Sequence, residues 1–225
     1  MYEFNLAGLL PYTDPLPAAL VTTLWLSFLA IVFSVVIGVL GALCRVSTGI
    51  VLRFVGAAYV EVLRNIPLLV VIYLIYFGLA QVGIRVNGFY SSLIALTLNA
   101  GAYMTEIFRG GLLAIPRGQY EAARSQGMTG LQLYRYVVFP QVFRIIYAPL
   151  GNLIIGIVLG SSLASVIGVE EVTTWMRRAG DETFRYMESF FAVGVIYVML
   201  AQTINIGRIL TGRLLLSKAP VGQRR

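Results

Sequence analysis

Two Glu–Arg pairs stand three residues apart inside otherwise apolar stretches, Glu61 with Arg64 and Glu106 with Arg109. On a helix that spacing puts both members of a pair on one face, within reach of each other. Asn99 and Tyr103 share the Glu106 face, at i, i+4 and i+7. A polar line on an apolar helix turns toward protein or water rather than lipid. It can line a path for a polar solute, or it can hydrogen-bond one helix to another. For Glu61 and Arg64 the alternatives are an ion pair that locks helices and direct contact with solute; Arg109 is read as structural in the same way. Asn152, Ser161 and Ser162 add uncharged hydrogen-bonding groups on a second apolar stretch. All of this is non-covalent, reversible chemistry.

Catalytic chemistry is not encoded. The chain has no His, and Cys44 is its single cysteine, so neither a metal site nor an internal disulfide is expected. The string Gly207–Arg213 echoes part of a phosphate-binding loop but lacks the Lys-Ser/Thr ending and a preceding strand. No catalytic residue, metal or cofactor is predicted.

The elements that must position these groups follow from composition. Hydrophobic residues make up 58% of the chain and charged residues 12%. The mean hydropathy of +0.83 lies far from that of a soluble domain. Uncharged runs cover Pro15–Cys44, Asn65–Ile84, Val86–Thr105, Ile145–Val169 and Ser189–Gly207. Each is long enough, or nearly so, for a helix to cross a ~30 Å hydrocarbon core, which needs ~20 residues. The prediction is an all-α membrane protein forming one domain over residues 1–225. Its five spans lie at about 18–44, 58–81, 87–108, 144–168 and 189–211. No removable leader is expected before the first span.

Basic residues set the orientation. Arg45, Arg53, Arg109, Arg117, Arg124, Arg135, Arg144, Arg208, Arg213, Lys218, Arg224 and Arg225 fall on one side, with Arg64 just inside the second span. The other side dilutes Arg85, Arg177, Arg178 and Arg185 with Glu3, Asp14, Glu170, Glu171, Asp181, Glu182 and Glu188. The positive-inside rule then puts the N-terminus outside and the C-terminus in the cytoplasm. This topology accounts for the net charge of +7 without nucleic acid, for which the arginines lack aromatic interleaving. Trp175, between the last two spans, is expected as a membrane-interface anchor.

Small residues mark close packing. Ser34, Gly38 and Ala42 repeat every four residues in the first span, and Gly156, Gly160, Ala164 and Gly168 do so in the fourth. The second stripe suits packing against another copy or a paralogue.

Residues 116–140 form a polar interruption on the basic side. Pro116 suits a helix start, Gln119–Gln126 are good helix formers, and Gly127 can end that helix in a left-handed conformation. Thr129 or Ser125 can cap neighbouring turns, and a second helix from about Gly130 is expected to run until Pro140 breaks it. Ala122 and Ala123 leave a flat surface for a partner's backbone. The bland alternative is an amphipathic helix resting on headgroups, with Arg117, Arg124 and Arg135 snorkelling.

The pattern Glu121-Ala122-Ala123, three residues, Gly127, nine residues, Val137-Val138-Phe139-Pro140 resembles the EAA loop of membrane subunits of ATP-binding-cassette importers, with Val and Phe for the usual Ile and Leu. Tyr59 to Leu69 is similar to the Y-x-E-x-x-R-x-x-P-L-L string of polar-amino-acid permeases, and Ala102 to Gly111 to their A-Y-x-x-E-x-x-R-G-G string. Gly160 departs from the family, many of whose members carry Lys there. The resemblance covers nearly the whole chain.

The resemblance implies an ATP-driven importer of polar amino acids or similar solutes in the bacterial cytoplasmic membrane. It implies two cytoplasmic ATPase subunits that bind the ATP, a second permease subunit (a copy or a paralogue) and an external solute-binding protein. Contact with the ATPase falls to Gly118, Glu121, Ala122, Ala123, Gly127 and Pro140. The candidate path for solute is Asn99, Tyr103, Glu106, Asn152, Ser161 and Ser162. A secondary transporter or channel is the alternative, but five spans give no equal inverted halves and no span pairs midplane carboxylates.

Overall fold

The computed structural model describes residues 3–216, which are helical with no strand among them. Lys218, Arg224 and Arg225 lie outside the described residues. A 3-10 turn, Leu6–Tyr12, precedes α1, Leu16–Val46. Pro17 sits in the first turn of α1, where its missing N–H leaves no bond unmade. Then come α2, Ile50–Asn65, and α3, Leu68–Gln81, meeting at a bend of 106°. Pro67 causes that bend: it has no N–H for the turn before it, and it forces Ile66 into extended backbone (φ −99°, ψ 129°). The second span, expected at about 58–81, is thus bent at Pro67 into two helices, the effect expected of a proline at that position.

α4, Gly88–Leu113, is opened by Asn87, whose side chain accepts from Tyr90 N at 3.0 Å. It runs through the centre. Ala95, Leu96, Ala100 and Met104 are buried against Leu26 and Ala30 of α1, and against Val71 and Ile72 of α3. The small-residue stripe of α1 faces it: a Cβ on Gly38 would strike Met104, and Ser34 Oγ donates to Thr97 O at 3.2 Å. Lipid supplies no hydrophobic drive between helices, so this dispersion-rich close approach is what holds α1 to α4.

Next come α5, Arg117–Ser125, and α6, Gly130–Ile167. Pro140 does not break α6, contrary to expectation. The backbone widens into π-turns over Leu133–Val138 just before it. That change of register absorbs the missing N–H and the ring, so the helix continues. The last turn of α6, Ser161–Ile167, tightens to 3-10 and stops at Gly168, whose φ is +79°. This tightening ends the four-residue stripe early. Gly160 lies against Leu68 and Leu96 of this same chain, while Gly156 faces open space.

The last helices are α7, Val172–Thr183, and α8, Tyr186–Leu216. Trp175 is buried rather than at a lipid interface: it packs with Leu9, Ala19 and Met176, and its indole N–H donates to Tyr12 O at 2.6 Å. Among the described residues three helices, α1, α6 and α8, are long and apolar enough to cross a membrane, and the bent α2–α3 pair would make a fourth. α4 is less apolar. Its neighbours are protein, so it can carry serines, threonines and Asn99 where a lipid-facing helix cannot.

Candidate coupling loop and polar helix break

Loop first. α5 ends in a complete Schellman motif. Gly127 takes φ +74°, its N–H donates to Arg124 O at 2.9 Å, and Met128 N–H donates to Ala123 O at 3.1 Å. Thr129 then caps α6 with a reciprocal box: Gln132 Oε1 accepts from Thr129 N at 2.8 Å while Thr129 Oγ1 accepts from Gln132 N. Ser125 is not a cap; its hydroxyl donates back to Glu121 O at 3.0 Å. The turn between the two helices is thus fixed by hydrogen bonds at both ends.

Beneath the loop a separate core forms from Ile115, Ala123, Leu133, Val138, Val142 and Ile146. Ala123 is therefore an anchor facing inward, not half of a flat outer surface. Glu121 and Ala122 are exposed, and a Cβ at Gly118 or Gly127 would meet nothing. Leu131 is 79% exposed beside them. The outward side of α5 thus carries Gly118, Glu121 and Ala122, with Leu131 and Gly127 adjoining, while Pro140 lies further along α6.

The polar groups of α4 meet the break between α2 and α3. Asn99 Nδ2 donates to Leu63 O at 2.8 Å, and the Tyr103 hydroxyl approaches Arg64 O at 3.5 Å. These are carbonyls that Pro67 and the bend leave without helical partners. Arg64 also lies over the Tyr103 ring, 5.0 Å from its centroid. The expected Glu61–Arg64 pair does not form. Glu61 instead meets Asn65, whose Nδ2 donates to its backbone O at 2.7 Å and to Oε2 at 3.3 Å. Both side chains reach outward, where solvation rivals an i,i+3 pair.

Glu106 is held between two arginines. Arg109 contacts both carboxylate oxygens, with Nη2 to Oε2 at 2.6 Å, and Arg45 Nε reaches Oε1 at 3.2 Å. Glu106 therefore ties the end of α1 to α4 rather than standing free on a path. Arg45 was legible only as a basic residue at a span end. Of the remaining candidates, Asn152 is exposed. Ser161 and Ser162 turn their hydroxyls to Val158 O and Leu159 O, each at 2.7 Å, with Ser161 buried.

One buried carboxylate gave no signal in the sequence. Glu171 caps α7 through Thr174 N at 2.9 Å and accepts from the Tyr197 hydroxyl of α8 at 2.7 Å. It is fully buried, and burial pushes its carboxyl above the usual range against the pull of its hydrogen bonds.

Against known proteins, residues 34–208 match the family described as binding-protein-dependent transport system inner membrane component. The chain is 35% identical over 185 residues to the probable glutamine ABC transporter permease protein GlnM of Bacillus subtilis (strain 168), covering 82% of this chain and 86% of that one. It is 32% identical to the glutamine transport system permease protein GlnP of Escherichia coli (strain K12), covering 90% and 94%. Among solved structures, an amino acid ABC transporter crystallised with histidines matches with a TM-score of 0.88 and 36% identity, over 94% of this chain and 99% of that one. The MetNI methionine ABC transporter shares the fold at a TM-score of 0.75 and 24% identity. The chain belongs to the binding-protein-dependent transport system inner membrane components, and within it this chain is a transporter's permease subunit rather than an enzyme.

Proposed function

We infer that this chain is the membrane-spanning subunit of an ATP-driven importer of polar amino acids or amino-acid-like solutes. The observation that carries the mechanism is the loop: α5 presents Glu121 and Ala122 outward and is fastened at its far end by the Gly127 and Thr129 caps. A helix clamped at its end and seated on its own core moves as a rigid body. Pushed by an ATPase that closes on ATP, it transmits the displacement into α6, because Pro140 leaves that helix continuous.

The orientation from the basic residues puts α5 on the cytoplasmic side, with five spans in which α2–α3 is one bent span and α4 another. ATP is bound by a separate subunit, two of which serve a pair of permeases. An external binding protein delivers solute to the opposite face, where the Leu6–Tyr12 turn and α7 lie. The bend at Pro67 and the 3-10 turn at Ser161–Ile167 support a path between α3, α4 and α6, since non-helical backbone in a membrane belongs where protein or water, not lipid, surrounds it. Asn99, Tyr103, Ser161 and Ser162 border these two irregular segments. The glutamine named for two relatives, and the histidines of the matched structure, favour a polar amino acid as cargo.

The test is uptake into ATP-loaded proteoliposomes holding this chain, its ATPase and any paralogous permease, with binding protein and a labelled amino-acid panel outside. ATP-dependent accumulation of one or two solutes is expected. Uptake that survives without ATP and collapses with the ion gradient would establish a secondary transporter instead.

A further inference from the structure

Arg208 carries a charge that neither helix around it can neutralise. It leaves α8 and lies across α6: a Cβ on Gly151 would collide with its Cδ, so a glycine is what admits the side chain. Its Nη2 donates to Asn205 Oδ1 at 2.8 Å, its Nε is buried without an acceptor, and no ion pair among the described residues includes it. The sequence holds no Asp or Glu from Gly127 to Val169 or from Ser189 to Arg225. Tyr147 donates to Arg208 O at 2.7 Å and packs against Gly212, which fixes α6 against α8 at this level. Arg208 lies about 28 Å along α8 from Ser189, near the limit of a ~30 Å hydrocarbon core.

Next to this charge is an apolar groove of about 290 Å³ between α6 and α8, walled by Phe143, Leu150, Ile154 and Ile204, with Arg208 in its lining. We propose that the groove binds an anionic phospholipid, its phosphate paired with Arg208 and one acyl chain laid along these apolar walls. Charge and shape both select this occupant. A water-soluble anion makes no use of the apolar walls, and a zwitterionic lipid brings no net charge to a site whose one ionised group, Arg208, has no acidic partner among the described residues. A second copy of this chain has few acids to offer: at this end it carries only Glu61, Glu106 and Glu121, of which Glu106 is already held by two arginines. α8 itself is open to lipid, burying 6% of its span inside the chain against 39% for α1. The inference goes beyond the transport reading, since the site would bind lipid whatever the cargo.

The experiment is native mass spectrometry of the full-length chain after detergent exchange, with phosphatidylglycerol or phosphatidylcholine of matched acyl length. The wild type is expected to retain phosphatidylglycerol, and Arg208→Gln to retain about fivefold less, the weight of one arginine at an anionic surface. Arg208→Lys should keep most of the binding. Ile204→Trp, which fills the groove and leaves the charge, should lose it. Phosphatidylcholine retention should not change. The bond from Tyr147 goes to the backbone of Arg208, so these variants keep the α6–α8 contact, which helical circular dichroism checks. Equal phosphatidylglycerol retention in the wild type and Arg208→Gln would overturn the proposal. So would full retention in Ile204→Trp, or a disulfide between two Ile204→Cys copies that forms without displacing lipid.

Discussion

The side-chain amide of Asn99 donates to the carbonyl of Leu63 across 2.8 Å, the acceptor that Pro67, four residues further on, cannot serve. One helix thus completes the hydrogen bonding of another at its break. Asn99→Ala removes the donor and leaves a carbonyl short of a partner, at a cost of about 1–2 kcal/mol. In a Pro67→Ala background the helix regains an N–H and the pre-proline restriction on Ile66 disappears. The penalty of Asn99→Ala should therefore shrink there. Thermal unfolding of the four proteins in detergent measures the coupling, and strictly additive effects would show that the two residues do not act on one carbonyl.

The loop depends on backbone chemistry at Gly127. Its φ of +74° costs an L-residue about 1 kcal/mol, and proline there also removes the N–H that serves Arg124 O. Gly127→Ala is expected to lower ATP-driven uptake modestly and Gly127→Pro severely, while membrane insertion stays normal. Glu121→Lys reverses an exposed charge and should weaken the ATPase contact without disturbing the fold. Unchanged uptake in both Gly127→Pro and Glu121→Lys would remove α5 from the coupling mechanism.

Glu106 ties α1 to α4. Its partners are unequal, since Arg109 grips both oxygens and Arg45 only one. The side chains are 17–30% exposed, so solvent screens part of the interaction. Arg109→Ala should cost about 1–3 kcal/mol and Arg45→Ala about half of that. Glu106→Gln should exceed both, because it leaves two half-buried arginines facing each other. Stability by denaturant or heat in a fixed detergent ranks them, and an Arg45 effect larger than that of Arg109 would contradict this geometry.

What was legible in the sequence was local. Gly127 and Thr129 act on neighbours within five residues, so their chemistry reads directly from residue type. Pro140 was misread for an instructive reason: proline forbids one α-helical bond, but a helix that widens to π-turns over Leu133–Val138 never needs it. Glu61 and Arg64 show the limit of spacing rules, which say which side chains can meet and not which partners win. The Arg45–Glu106 pair spans 61 residues, and no periodicity points to it. Ala123 looked like Ala122 until the core beneath the loop distinguished their faces. Glu171 stood in a run of charges that resembled a solvated segment, and only the packing of α7 against α8 revealed it as buried.

That burial has a consequence in pH. Glu171 holds its proton above the usual carboxylate range because desolvation outweighs the bonds from Thr174 N and the Tyr197 hydroxyl. Between the usual range and the raised value, the folded chain binds more protons than the unfolded one. Stability from this group is therefore full at low pH and declines as pH climbs through that window. The wild type should melt at a lower temperature at pH 7 than at pH 5 to an extent that Glu171→Gln abolishes, since the amide oxygen still accepts from Thr174 N and its NH2 can donate to the Tyr197 hydroxyl oxygen, but the amide does not titrate. Hydrogen exchange should localise the loss to α7 and the N-terminal end of α8. A wild-type slope that persists in Glu171→Gln would assign the pH dependence to other carboxylates, and a slope of opposite sign would mean that the hydrogen bonds, not burial, set the protonation of Glu171.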